Sequence, residues 1–259
     1  MRAHRRTHLW VPLAGFGALL CVWEIAVRLT EVRPQILPAP SLVASSGWAH
    51  RSAIFEHAVA TLGVTAVGFG ISLVCAWAIA IAIDWSSLLR RGVIPLLVAS
   101  QTIPIVAIAP LMIIWFGFGL LPKVIVVALV TFFPIAIGLV EGFARTDREA
   151  SALLRSMGAG RIREFLLVRL PSALPSFFTA LRIGITYAVV GAIFAEYVGA
   201  QHGLGIYMSV QKNAFRTDLV LAAVGVTAAL SIALYLSTII VERLVIPWHI
   251  TERRAAHEH

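Results

Sequence analysis

Apolar runs long enough to cross a bilayer dominate this chain, and they limit it to very few architectures. About 20 consecutive apolar residues cross a membrane as a helix, since a helix satisfies its own backbone hydrogen bonds in lipid. Such runs lie at Leu9–Val27 (interrupted only by Glu24), about Ala58–Ile83, Phe177–Val198 and Leu219–Val241. The stretch Val93–Val140 is too long for one crossing and divides near Gly117–Pro122 into two. This pattern predicts an all-α membrane protein with six transmembrane helices. It forms one domain over residues 9–247, with short tails at 1–8 and 248–259.

Composition closes the soluble alternative. Charged residues are only 13% of the 259, and apolar ones 59%, where soluble domains carry about 25% charged. A net charge of +8 suits either nucleic acid or anionic lipid. Its placement beside the apolar runs argues for the lipid bilayer, with no nucleic acid as partner. Cys21 and Cys75 both stand inside apolar runs, so buried free thiols are expected rather than a disulfide. His4 and His8 have helical spacing, but no Cys or carboxylate completes a metal set, and no metal site is expected.

Arg2, Arg5 and Arg6 ahead of the first run also suit a cleaved signal peptide. No small-x-small site follows before Arg28, and Glu24 breaks the run, so an uncleaved first helix is expected. Orientation follows from the bias of Lys and Arg towards the cytoplasm. With the N-terminus inside, the cytoplasmic side carries fourteen Arg residues, six of them between Arg145 and Arg169. The opposite side holds Arg28, Arg33, Arg51, Lys123, Lys212 and Arg216. Both termini and the loop after the fourth span are therefore expected in the cytoplasm of a multi-pass bacterial inner-membrane protein.

That loop, Glu149–Pro175, is the one long polar interruption. Thr146 or Asp147 can cap a short helix running through Leu153, Leu154 and Met157. Gly158-Ala159-Gly160 ends it, because glycine accepts the left-handed conformation. A second short helix is expected at Arg161–Arg169, stopped by Pro171, with Pro175 setting the start of the fifth span. On these residues alone, two readings stand: a helical knob docked on another protein, or an amphipathic loop on anionic headgroups.

The loop resembles the EAA loop of ABC-importer permeases, in which a Glu-Ala-Ala and a later glycine lead into Ile-x-Leu-Pro. Here Gly158, nine intervening residues and then Val168-Arg169-Leu170-Pro171 reproduce the spacing. Ala152 stands at the glutamate position of that pattern, and Glu149 lies one turn earlier. Leu37-Pro38-Ala39-Pro40, Thr102-Ile103-Pro104, Ala109-Pro110-Leu111, Trp115-Phe116-Gly117, and Ala195-Glu196 with Gly203-Leu204-Gly205 are similar to elements of one branch. That branch imports nitrate, aliphatic sulfonates, taurine and thiamine-precursor pyrimidines. The run Leu153–Ala159 and Trp115–Gly119 resemble the pyrimidine-precursor permeases more than the sulfonate ones.

The resemblance implies a cytoplasmic coupling helix pair between spans four and five. Its tip, Met157, Gly158 and Ala159, would seat in a groove of an ABC ATPase subunit, with Glu149, Ala152, Leu170 and Pro171 belonging to the same element. It also implies a second permease copy, an extracytoplasmic substrate-binding protein, and inward movement of a small polar solute. The chain is expected to be a non-catalytic subunit without a cofactor of its own. A P-loop needs a lysine after a glycine-rich turn, and the only lysines are Lys123 and Lys212, so ATP–Mg belongs to the partner ATPase.

Polar residues within the spans are the candidates for a solute path. Gln101, Thr102 and Pro104 interrupt the third span, where a freed carbonyl is tolerated inside protein or beside a water-filled cavity. They are either a pathway wall or a repaired proline kink, while Pro110 and Pro134 read as plain kinks. Thr186 and Tyr187 are either pathway or packing residues. Glu196 is a pathway candidate at the outer end of the fifth span. Arg182, at its inner end, is expected to snorkel towards headgroups. Glu24 has no evident partner, and Gly199–Asp218 reads as a polar outer connector. An ion-gradient-driven secondary transporter is the alternative; it would call for paired repeats and an intramembrane ion site, neither of which is evident.

Overall fold

The computed structural model describes residues 4–247. The tail expected at 248–259 and the side chains of His4 and His8 lie outside the described residues. Helices α1 (His4–Thr30), α2 (Pro40–Ala49) and α3 (Arg51–Trp85) open the chain, followed by α4 (Ser87–Ser100), α5 (Ile105–Phe116) and α6 (Leu120–Ala144). Then come α7 (Arg148–Ser156), α8 (Arg161–Glu164), a π-helical turn (Phe165–Arg169), α9 (Leu170–Gly199), α10 (Leu204–Asn213) and α11 (Thr217–Val245). Among the described residues, four helices are long and apolar enough to cross a membrane. They are α3, α6, the continuous helix Arg161–Gly199, and α11; the bent pair α4 and α5 makes a fifth if counted as one span.

The core lies between α3, α6 and α9. Ala76, Ala80 and Ile83 of α3 meet Ile135, Ala136 and Leu139 of α6 and Ala173 and Phe178 of α9. Lipid is as apolar as these side chains, so close van der Waals fit rather than water exclusion holds such helices together. Gly138 and Gly142 supply it, four residues apart on one face of α6. A β-carbon on Gly138 would sit 2.3 Å from Cβ of Ala180, and one on Gly142 would sit 2.9 Å from Cα of Ala173. On the other side of α6, Gly68 of α3 brings its backbone against Val127, with 2.6 Å left for a β-carbon.

Three expectations about helix continuity change. Pro171 does not stop a second short helix, and Pro175 does not start the fifth span: the chain stays helical from Arg161 to Gly199. A proline inside a helix lacks an N–H donor, and its ring collides with the carbonyl four residues back. The π-turn just before it widens the spiral, and Leu170 N–H reaches back to Phe165 O, which absorbs the misfit. At Gln101–Pro104 the disruption is larger than a kink: α4 and α5 meet at 98°. Pro110 and Pro134 sit inside helices that continue. The supposed connector Gly199–Asp218 contains α10, whose Leu204 and Tyr207 pack with Ile54 and Ala58 of α3 and Leu219 of α11.

Polar partners also appear where the sequence left gaps. Glu24 accepts from Arg28 Nε at 2.7 Å and from the N–H of Ser41 at 3.0 Å. Its carboxylate thus takes up an orphan donor in the first turn of α2, a helix opened by Pro40, where a missing N–H costs nothing. Arg182 does not snorkel; it binds Glu242 of α11 at 2.8 Å. Cys21 and Cys75 are free, as expected, but exposed rather than buried.

Candidate functional site

The loop between α6 and α9 is a braced knob. Asp147 opens α7 by accepting the N–H of Glu149 at 2.8 Å. Gly158, with φ of +81°, turns the chain in the left-handed conformation, and the N–H of Ala159 closes on Leu154 O at 3.0 Å. α8 then returns beside α7. Arg155 clamps Glu164 through two bonds of 2.8 and 2.9 Å, and Arg169 adds a longer one of 3.4 Å. The hydrogen bond from Arg155 to Glu164 raises the already high guanidinium pKa of Arg155.

The same cluster ties the knob to the end of α3. Arg169 pairs with Asp84. Arg161 donates to the carbonyl of Trp85 at 2.6 Å and stacks over its ring at 5.7 Å. Glu164 and Asp84 are the buried acids here, whereas Glu149 and Ala152 are exposed. Sequence reasoning missed both acids. The one available signal was that Glu164 lies nine residues after Arg155, across a glycine turn.

Beside these buried acids the knob also shows apolar side chains outward. Leu153, Met157 and Ile162 are 63%, 75% and 65% exposed. Gly158 at the tip is exposed and has open space around it. Leu170 and Pro171 are half-buried where the knob joins α9.

A cavity of about 800 Å³ opens along α6 and α9 beside the α4–α5 break. Gln101 and Tyr187 line it together with Phe133 and Thr179. Its charged lining residues are Glu141 and Arg145, which pair with each other at 3.8 Å. The remaining polar groups are uncharged. Thr102 and Pro104 stand in the break but do not line the cavity. Thr102 bonds back to Ala99 O at 2.7 Å, and Pro104 begins α5. Thr186 faces an adjoining hollow that shares Thr179, Ile183 and Tyr187 with the cavity and adds Arg182 and Tyr235, and it donates to Arg182 O at 3.1 Å.

Glu196 is not on the cavity. It is 0% exposed and belongs to a polar clamp under the start of α10. Three successive N–H groups there are taken up in turn. Gly203 donates to His57 Nδ1 at 3.0 Å, Leu204 to Thr61 Oγ1 at 2.8 Å, and Gly205 to Glu196 Oε2 at 3.0 Å. Thr61 in turn donates to Glu196 at 2.9 Å. A backbone N–H can only donate, so Nδ1 of His57 accepts and the ring carries its proton on Nε2. The glycines permit the approach. A β-carbon on Gly203, whose φ is +130°, would lie 2.2 Å from Cδ of Glu196, and one on Gly205 would lie 2.3 Å from Ile193 O.

Residues 45–248 match the family described as binding-protein-dependent transport system inner membrane component. The chain is 36% identical to the formylaminopyrimidine transport permease protein ThiX of Halalkalibacterium halodurans, over 92% of this chain and 95% of that protein. It is 30% identical to the taurine transport system permease protein TauC of Escherichia coli, over 92% and 90%. Its fold is similar to a chain of the inward-facing MetNI methionine ABC transporter, with a TM-score of 0.66 at 18% identity, over 78% of this chain and 98% of that one.

Proposed function

The chain belongs to the family of binding-protein-dependent transport system inner membrane components, and from that premise we propose that it forms half of the solute path of an ATP-driven importer. In this reading α1 and the broken α4–α5 pair complete a set of six spans. Both termini and the α7–α8 knob face the cytoplasm. A second copy of the chain supplies the other half, ABC ATPase subunits bind the knobs, and an extracytoplasmic binding protein delivers solute near α10. The chain itself is non-catalytic; ATP and Mg²⁺ are held by the ATPases.

The observation that carries this is the knob: two buried acids, held by arginines, brace an exposed apolar tip. Solvent gives Leu153, Met157 and Ile162 no reason to face outward together, whereas a protein groove does. Because α8 runs unbroken into α9, a push on the tip acts along a helix of 39 residues, roughly 58 Å at the α-helical rise. Closure of the ATPases would then tilt α9 and open the cavity to the other side. A gradient-driven transporter is not favoured, since Arg182 and Glu242 neutralise each other and Glu196 Oε2 is held by Thr61 and Gly205.

For the solute, the cavity favours an uncharged planar N-heterocycle of the formylaminopyrimidine kind over taurine, a sulfonate, or nitrate. Its walls offer the Gln101 amide, the Thr179 hydroxyl and the rings of Phe133 and Tyr187, and its one cation already has a carboxylate partner. An anion there would meet a cation already shared with Glu141 and otherwise only neutral hydroxyl, amide and ring groups.

Reconstitution tests both parts. Copurification of an ATPase that is lost in Gly158→Asp, together with ATP-dependent uptake of labelled aminopyrimidine into proteoliposomes, is the expected result. Uptake driven by a proton or sodium gradient without ATP would sink the importer reading. Equal uptake of taurine would sink the solute assignment alone.

A further inference from the structure

Helix α3 is polar-bonded to α9 at both of its ends and to no comparable degree between them. At the knob end its last two residues, Asp84 and Trp85, hold Arg169 and Arg161, which lie in the same unbroken helix as α9. At the far end Thr61 donates to Glu196 of α9, and His57 and Thr61 together take up two of the N–H groups that begin α10. The two sets of bonds are separated by more than twenty residues of α3, roughly 30 Å or more of helix. Between them α3 contains no proline and packs closely on α6 at Gly68.

We infer that α3 and α9 form one rigid frame, yoked by Asp84–Arg169 at the knob and by Thr61–Glu196 at the opposite end, that carries α10 with the knob. Displacement of the knob then reaches α10 as a rigid-body movement, and release of α10 is felt at the knob. Asp84 and Thr61 are positioning residues in this scheme, since neither lies at the exposed tip nor lines the cavity. The glycines of Gly203-Leu204-Gly205 make the far joint tight enough to transmit: their N–H groups sit directly on α3 and α9 side chains. The inference rests on the importer reading for its biological consequence, but the mechanical link can be measured without it.

Hydrogen exchange on the permease alone measures that link. Asp84→Asn is expected to raise exchange at the amides of residues 203–205 at least threefold, although the substitution lies at the other end of the bundle. Asp84→Glu is expected to restore it, and Glu149→Gln, on the exposed face of the knob, to leave it unchanged. A merely local role for Asp84 predicts faster exchange in residues 155–169 and none at 203–205; that outcome overturns the frame. In the complex with its ATPases and binding protein, ATP hydrolysis is compared between wild type, Asp84→Asn and Thr61→Val, and Thr61→Val, remote from the knob, should keep the basal rate within twofold. Each variant should cut its stimulation by liganded binding protein at least fivefold, and the double variant should be no worse than the poorer single one. Stimulation kept in either single variant, or losses that multiply, also overturn the frame. If Asp84→Asn fails to assemble, Thr61→Val decides, since the frame requires it to lose stimulation while keeping the basal rate. A wild-type chain that recruits no ATPase at all refutes the importer reading while leaving the exchange test intact.

Discussion

Gly138→Ala and Gly142→Ala look equivalent in sequence, but the geometry of the α6–α9 crossing separates them. The β-carbon added at position 138 meets Cβ of Ala180 at 2.3 Å, with Ser176 O at 3.4 Å and Cα of Ala180 at 3.7 Å. Carbon contacts settle near 3.5–4.0 Å, so only the Ala180 methyl is in the way. At position 142 the added carbon meets Cα and O of Ala173 at 2.9 Å each, and Cβ at 3.1 Å. There the obstacle is backbone. Overpacking of this kind costs about 1–3 kcal/mol, and the better helix propensity of alanine returns up to about 1 kcal/mol. Each single variant is expected to lose about 2 kcal/mol or less, which is roughly 4–8 °C in melting temperature for a chain of this size. The double variant Gly138→Ala/Ala180→Gly removes the clash and conserves one Ala and one Gly across the pair, so it should return to within about 1 °C of wild type. Gly142→Ala/Ala173→Gly leaves two backbone contacts at 2.9 Å and adds a helix-interior glycine, so it should melt no higher than its single parent. Tryptophan-fluorescence melting in detergent reads all four variants. Rescue in both pairs, or in neither, would refute the claim that a methyl blocks one site and backbone the other.

Other perturbations probe the polar joints. Arg182→Gln strands the partly buried Glu242 and should cost about 1–3 kcal/mol; adding Glu242→Gln should recover much of it, giving a coupling of at least about 0.5 kcal/mol in a double-mutant cycle. Gly203→Ala forces both a left-handed backbone and a 2.2 Å contact with the Glu196 carboxyl, so accelerated exchange across α10 is expected, and unchanged exchange would contradict the clamp. Cys21 and Cys75 are exposed and free, so the folded protein should run as a monomer of unchanged mobility with and without reductant on denaturing gels; an intramolecular Cys21–Cys75 disulfide would contradict their placement on α1 and α3.

Legibility in the sequence followed the range of the interaction. The spans showed because hydropathy is summed over neighbouring residues, and the knob showed because Asp147, Gly158 and the Arg residues act within a turn or two of themselves. Pro171 misled for the same reason: proline stops helices locally, and only the π-turn at Phe165–Arg169 lets this one pass. Glu196 read as a path residue because its partners, Thr61 and Gly205, are unmarked in the sequence. The Gly203-Leu204-Gly205 element was visible as a family likeness, while its purpose, close approach to that carboxylate, was not.

The order of residues alone therefore settles the helical membrane class, where the long apolar runs lie, and a polar loop that must leave the lipid. Each of these is decided by whether a short stretch can bury itself, satisfy its own backbone and stay out of water. Which acid braces the loop, how sharply the third span breaks, which glycines admit another helix, and that α3 is bound to α9 at both ends came only with the packed bundle. Those features join residues as much as 135 positions apart, as Thr61 and Glu196 are. No local preference selects such partners; helix packing brings them within 3 Å, and the energy of burying an unpaired polar group keeps them there.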